Sequence, residues 1–179
     1  MNHRLILAVL SILTVVTLAS PASAQVTDTG TLSITGTVQS SISLIFNSDP
    51  AGVTLTGSGT DNATLPFGDI QAYGGSMSPG VTRTVGPDSF TVSSPVGVQV
   101  KKANSSSANY TLTAVLNGVD VTNTWQVAGV TVMNGAAATI TTTGMYDNDV
   151  SNSVAVTIPF LTAGGTAIDN SIGFTATAN

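Results

Sequence analysis

Thr31-Leu-Ser-Ile-Thr-Gly-Thr-Val-Gln-Ser-Ser-Ile-Ser-Leu-Ile-Phe46 decides the fold class. Leu32, Ile34, Val38, Ile42, Leu44 and Phe46 occupy even positions, and Thr31, Ser33, Thr35, Thr37, Ser41 and Ser43 stand between them. Side chains of an extended chain alternate between two faces, so this phase marks a strand with one apolar face. Threonine strengthens the reading, because its branched Cβ stiffens an extended backbone and leaves a polar outer face.

The same period recurs downstream at Val53/Leu55, Val96/Val98/Val100, Tyr110/Leu112/Ala114/Leu116, Val154/Val156/Ile158/Phe160 and Ile172/Phe174/Ala176/Ala178. No stretch beyond Ala24 carries a 3.6-residue period with helix formers. Turn signals separate the runs: Asn47-Ser-Asp-Pro50, Gly57-Ser-Gly59, Gly74-Gly75, Pro79-Gly80, Gly86-Pro87-Asp88, Asn117-Gly118, Asn134-Gly135 and Gly164-Gly165. Asn117-Gly118 reads as a two-residue hairpin, and Asn134-Gly135 as a second. Ser76 to Pro87 reads as a loop, and Asn104 to Asn109 as a polar turn between strands. Pro159 places the end of its strand at a sheet edge. Short strands with frequent turns predict an all-β, antiparallel sandwich of immunoglobulin-like topology, closure into a barrel being the other arrangement the pattern allows.

Upstream, Asn2, His3 and Arg4 precede the apolar stretch Leu5 to Leu18, and Pro21 and Ala22-Ser-Ala24 follow it. Positive start, apolar centre and small-x-small site together predict a signal peptide over 1–24. The apolar stretch spans about 21 Å as a helix, short of a ~30 Å hydrocarbon core. Residues 25–179 are then one exported domain, in the periplasm, at the cell surface or secreted, with no membrane span after cleavage.

Composition narrows the chemistry. The chain has 179 residues, 42% hydrophobic, 5% aromatic and 7% charged, with a formal net charge of -5. An acidic, charge-poor chain does not suit nucleic acid. Cysteine is absent and all 9 acidic residues are Asp. Beyond Ala24 there is no His, and Arg83, Lys101 and Lys102 are the basic residues. A Ser-His-Asp relay therefore lacks its base, and zinc or redox metals lack their usual ligands. Asp147-Asn148-Asp149 is the one local acid pair; it reads as a hairpin tip, the spacing of a calcium loop being missing. Asp28-Thr29-Gly30 matches the aspartic-protease triplet, but no second triplet follows to share the proton. No cofactor is called for. Catalysis is not expected.

Two non-enzymatic readings remain. Trp125 with Tyr73 and Tyr146 could stack a surface glycan, as in a monomeric carbohydrate-binding module. Alternatively, residues 25–38 donate a strand to the open sheet edge of another copy, through Leu32, Ile34 and Val38, with Gly36 allowing close approach. Repeated head to tail, such a contact makes a filament. The run 31–46 also suits the opening strands of a self-complete sandwich.

Thr35-Gly-Thr-Val38, Leu65-Pro-Phe-Gly-Asp-Ile70, Val98-Gln-Val-Lys-Lys102, Asn109-Tyr-Thr-Leu-Thr-Ala114 and Ile172-Gly-Phe-Thr-Ala-Thr-Ala178 are similar to segments of bacterial secreted pilin-like and spore-coat-protein-U-like β-sandwich subunits. That resemblance implies a fimbrial, coat or adhesin-type structural protein of the cell surface, with itself or related subunits as partners.

Overall fold

The computed structural model describes residues 28–179, so the signal-peptide reading of 1–24 and the first residues of the 25–38 segment lie outside the described residues. The chain divides into two units, Met1–Thr37 and Val38–Asn179.

Val38–Asn179 is all-β, with no helix among the described residues. Its strands are β1 (Ser41–Ser48), β2 (Thr82–Val85), β3 (Ser89–Ala103), β4 (Tyr110–Leu116), β5 (Thr124–Val127), β6 (Val130–Val132), β7 (Ala138–Gly144), β8 (Asp149–Pro159) and β9 (Ile172–Ala178). They form two antiparallel sheets. The larger runs β1-β3-β8-β5-β6, with β2 also on β3; the smaller runs β7-β4-β9.

The period-2 runs at 42–46, 96–100, 110–116, 154–158 and 172–178 all fall on strands. Val92, Val96, Val98 and Val100 of β3 are buried, as are Tyr110, Leu112, Ala114 and Leu116 of β4 and Val156 and Ile158 of β8. Each valine, leucine and isoleucine among them contributes about 1.5–3 kcal/mol when removed from water. The core has two clusters. One gathers around Val92, Leu116, Trp125 and Val156, the other around Val98, Val100, Tyr110, Leu112 and Tyr146.

Several expectations are corrected. Residues 31–40 are not a strand, and β1 begins at Ser41. Alternation prepares a segment for pairing, but a strand exists only beside a partner edge. Val53 and Leu55 are buried without belonging to a strand. Their N–H groups donate to the Ser94 and Ser48 hydroxyls, so side chains replace the ladder there. The 76–87 loop contains β2, which pairs Arg83 with Val92. β8 lies between β3 and β5, but its end at Pro159 has β3 alone beside it, as expected for a proline at a sheet edge. β5 pairs β8 only as far as Thr157, so the proline sits beyond that partner and interrupts no ladder.

Asn117-Gly118 is not a hairpin, because β4 and β5 belong to different sheets. The Gly118 N–H instead donates to Asn170 Oδ1 at 2.9 Å, and Asn117 N–H to the Ser171 carbonyl at 2.9 Å. Asn134-Gly135 does form a two-residue turn, with Met133 and Ala136 bridged antiparallel across it. Another lies at Ala128-Gly129, between β5 and β6, with φ of 50° and 79°. Positive φ at both positions matches the twist of the flanking strands. Alanine is costly there and asparagine is tolerated. Ala128→Asn is therefore expected to stabilise the protein by ~0.5–1 kcal/mol, read as a higher urea midpoint at unchanged slope. An unchanged midpoint would show that the turn carries no strain.

Candidate functional site

Among the described residues β1 has a strand partner on one side only, β3. Odd-numbered residues of β1 face β3; Phe46 faces the other way, donating its N–H to the Thr60 carbonyl at 2.8 Å and accepting from Gly59 at 2.7 Å. N–H and C=O groups alternate in direction along a strand, so Ile42 and Leu44 point the same way as Phe46. No strand pairs with them there among the described residues.

β9 has the same property. Asn117 N–H donates to the Ser171 carbonyl and Asn179 N–H to the Asn109 carbonyl, which turns the odd residues toward β4. Phe174, Ala176 and Ala178 then direct their main chain outward, where no strand pairs with them among the described residues. β1 and β9 belong to different sheets but approach each other, with the Phe46 and Phe174 rings edge to face at 5.2 Å. Ile42, Leu44, Phe46, Phe174 and Ala176 pack on the Val98/Tyr110 cluster yet stay only partly buried. The seam between β1 and β9 thus combines unpaired main chain with an incompletely covered apolar row. Free edges of this kind invite another strand.

In the other unit, Asp28 to Thr37 has no regular secondary structure. Leu32 is 84% exposed and Ile34 87%, and Val38, just beyond, is 77% exposed. A Cβ built on Gly36 would meet nothing within 4 Å.

The residues of the glycan reading are not brought together. Trp125 is 6% exposed within the first core cluster, and its indole N–H donates to Asp120 Oδ2 at 2.8 Å. Tyr146 lies in the second cluster, 5.3 Å from the Tyr110 ring and beneath the Lys102 ammonium. Tyr73 is exposed and leans on Phe160 at 5.6 Å. Buried aromatic faces are core packing and offer no platform for a sugar ring. Asp147 occupies a turn with φ of 64°, and Asp149 lies over Gly97. No metal-sized group of His, Cys, Asp or Glu occurs among the described residues.

Asp120 is the structured carboxylate that sequence reading passed over. It accepts from the N–H groups of Thr122 and Asn123, from Asn123 Nδ2 and from the Trp125 indole. These fill its roughly four acceptor sites, which makes it an organiser of the β4–β5 connection with no capacity left for a ligand. Burial pushes its pKa up, but the donors from Asn123, Trp125 and Thr122 outweigh burial and hold it at about 2. A folded pKa below the unfolded 3.8 means a contribution present above that value and lost as pH falls toward about 2. After discounting for solvent screening it is ~1 kcal/mol. Asp120→Asn should lower stability by about that amount at pH 7, and the difference should shrink below pH 3.8 and close only at about pH 2. Urea titrations at three pH values check this; a deficit constant with pH would assign the loss to packing. The only cue in the sequence was Asp three residues before Asn, and that spacing is too common to single out.

The Asp120 connection also borders a hollow of about 350 Å³, lined by Leu116, Trp125, Met133 and Asn134 among others. Comparisons with family models, curated proteins and solved structures find no match.

Proposed function

We propose that this chain is an exported, non-enzymatic structural subunit of the cell surface that self-associates by strand addition. In this reading a signal peptide is cleaved after Ala24, the two sheets form an immunoglobulin-like sandwich, and residues 31–38 of one copy pair in the β1/β9 seam of the next. The observation that carries it is a match of opposites. Among the described residues, an alternating apolar segment without a partner edge coexists with partly covered apolar edges without a partner strand. Main-chain hydrogen bonds would supply affinity, and the alternate side chains would fill the seam.

Chain chemistry favours a second copy over the chain's own seam. Folding back beside β1 requires reversal at Gln39-Ser40, and two-residue hairpins want Gly, Asn or Asp at positive φ. The Ser40 hydroxyl is moreover bound to the Asn104 carbonyl at 2.5 Å. A charge-poor exterior offers little repulsion against association. The deciding experiment is the oligomeric state of residues 25–179, compared with the same chain carrying Leu32→Asp and Ile34→Asp. Subunit ladders in the first and monomers in the second support the reading. A wild-type chain that stays monomeric at high concentration overturns it.

A further inference from the structure

The two rims of the seam are not equivalent. On β1 the outward main chain is free only at Ile42 and Leu44, because Phe46 is held by Gly59 and Thr60 and the Ser48 N–H by the Ser58 hydroxyl. On β9 the outward groups belong to Ile172, Phe174, Ala176 and Ala178. Among the described residues neither a strand nor a backbone hydrogen bond reaches any of them. Ile172, Phe174 and Ala176 pack on the core, and Ala178 shares their face. β7, the other edge of that sheet, is broken by register shifts against β4, and irregular edges of this kind resist pairing.

We infer that residues 32–38 of a second copy add antiparallel to β9, with Leu32 opposite Ala178, Ile34 opposite Ala176, Gly36 opposite Phe174 and Val38 opposite Ile172. This rests on the strand-addition reading above and fixes its edge, direction and register. Volume selects the register. Directly opposite residues place their side chains on one face in contact range. Leu32 and Ile34 therefore meet alanines, and the Phe174 ring meets the glycine and keeps its contact with Phe46. A parallel strand would set Ile34 beside Phe174 and Gly36 beside Ala176, crowding one half of the seam and leaving a void in the other. On the outer face Ser33 falls opposite Thr177 and Thr35 opposite Thr175. They extend the rows Thr111–Thr177 and Thr113–Thr175 that β4 and β9 already form, and such cross-strand hydroxyl pairs are favourable.

Chain reach makes the donor another copy. The Ser40 hydroxyl binds the Asn104 carbonyl and the Asn179 N–H binds the Asn109 carbonyl, so β1 starts and β9 ends beside the same connection. Val38 stands three residues before Ser41, a reach of ~11 Å. Ile172 lies six residues back along β9 from that end, ~20 Å away. No chain can seat its own Val38 there.

The chain has no cysteine, so engineered cross-links report the register directly. Antiparallel pairs without hydrogen bonds bring Cα atoms to about 4.5 Å, within disulfide range. Residues 25–179 carrying Ser33→Cys and Thr177→Cys, oxidised with glutathione disulfide, are expected to run as a ladder of linked chains on a non-reducing gel. Thr37→Cys with Thr177→Cys, the pair a parallel strand would join, should run as single chains. So should Ser33→Cys with Ser43→Cys, which reports pairing on β1. Gly36→Val should weaken assembly by about tenfold or more at an unchanged melting temperature. A ladder from either control pair overturns this register. So does a Ser33/Thr177 pair that links within one chain or not at all, or a Gly36→Val chain that assembles like wild type. If that happens while Leu32→Asp with Ile34→Asp still abolishes assembly, the register fails and strand addition stands. If the apolar variant also assembles normally, or the wild type never assembles, both fail.

Discussion

A chain carrying Leu32→Asp and Ile34→Asp should keep its melting temperature and lose its assembly. Both side chains are more than four-fifths exposed, so their replacement removes nothing from the core. Surface changes of this kind shift stability by no more than about 0.5 kcal/mol. Assembly is a different matter. Each apolar side chain gains about 1.5–3 kcal/mol on burial, and a carboxylate driven into the same place adds a desolvation cost. Losing the two burials alone, at about 1.4 kcal/mol per tenfold, weakens association by at least ~100-fold. Sedimentation and thermal melting on the same samples separate the two effects. A lowered melting temperature would mean that these residues serve their own domain, as a self-complete fold demands. The matching change in the receiving edge, Leu44→Asp, is a poorer probe, because Leu44 also packs on Val98 and Tyr110.

The second large effect concerns folding. Gly80→Ala is expected to cost ~3 kcal/mol or more. Its φ is +82°, and a Cβ there would overlap the Gly52 carbonyl and come within 2.5 Å of the Val53 nitrogen. These are backbone atoms and have no rotamer by which to yield. Gly52 in turn lies against the Pro95 carbonyl, and Val53 N–H is held by the buried Ser94 hydroxyl at 2.9 Å. The stack fills the break on β3 between β2, which pairs as far as Ser93, and β1, which starts at Val96. It seats Val53 and Val81 in the core. Gly135→Ala is the control. Its φ is +79° but a Cβ would meet nothing within 4 Å, so only the backbone penalty of ~1 kcal/mol applies. Urea unfolding of both variants isolates the steric part. Equal losses would show that the Gly80 contact relaxes.

Legibility followed the range of the interactions. The runs through β3, β4, β8 and β9 were readable because a half-buried strand writes its two faces into alternate residues. The 31–38 segment carries the same signature and is unpaired, since alternation reports which face is apolar and says nothing of whether an edge is available. Val53 and Leu55 failed differently: their burial comes from a loop laid over the β1/β2 break, held by serine hydroxyls. The Asn-Gly pair at 117 misled because its hairpin preference is local, while the crossing to the other sheet, anchored on Asn170, is not. Ala128-Gly129 went unseen because the strand twist imposes the turn on a residue that does not favour it.

By itself the amino-acid order settled the backbone class, the polar-out and apolar-in faces, and the scarcity of reactive side chains, all of which follow from side-chain chemistry and a two-residue period. Only the three-dimensional arrangement decided that Trp125 is core, that Asp120 is saturated, and that β1 and β9 meet with no further strand on their outer edges among the described residues. Those outcomes depend on which distant strands become neighbours, and that choice is made by packing across the whole domain.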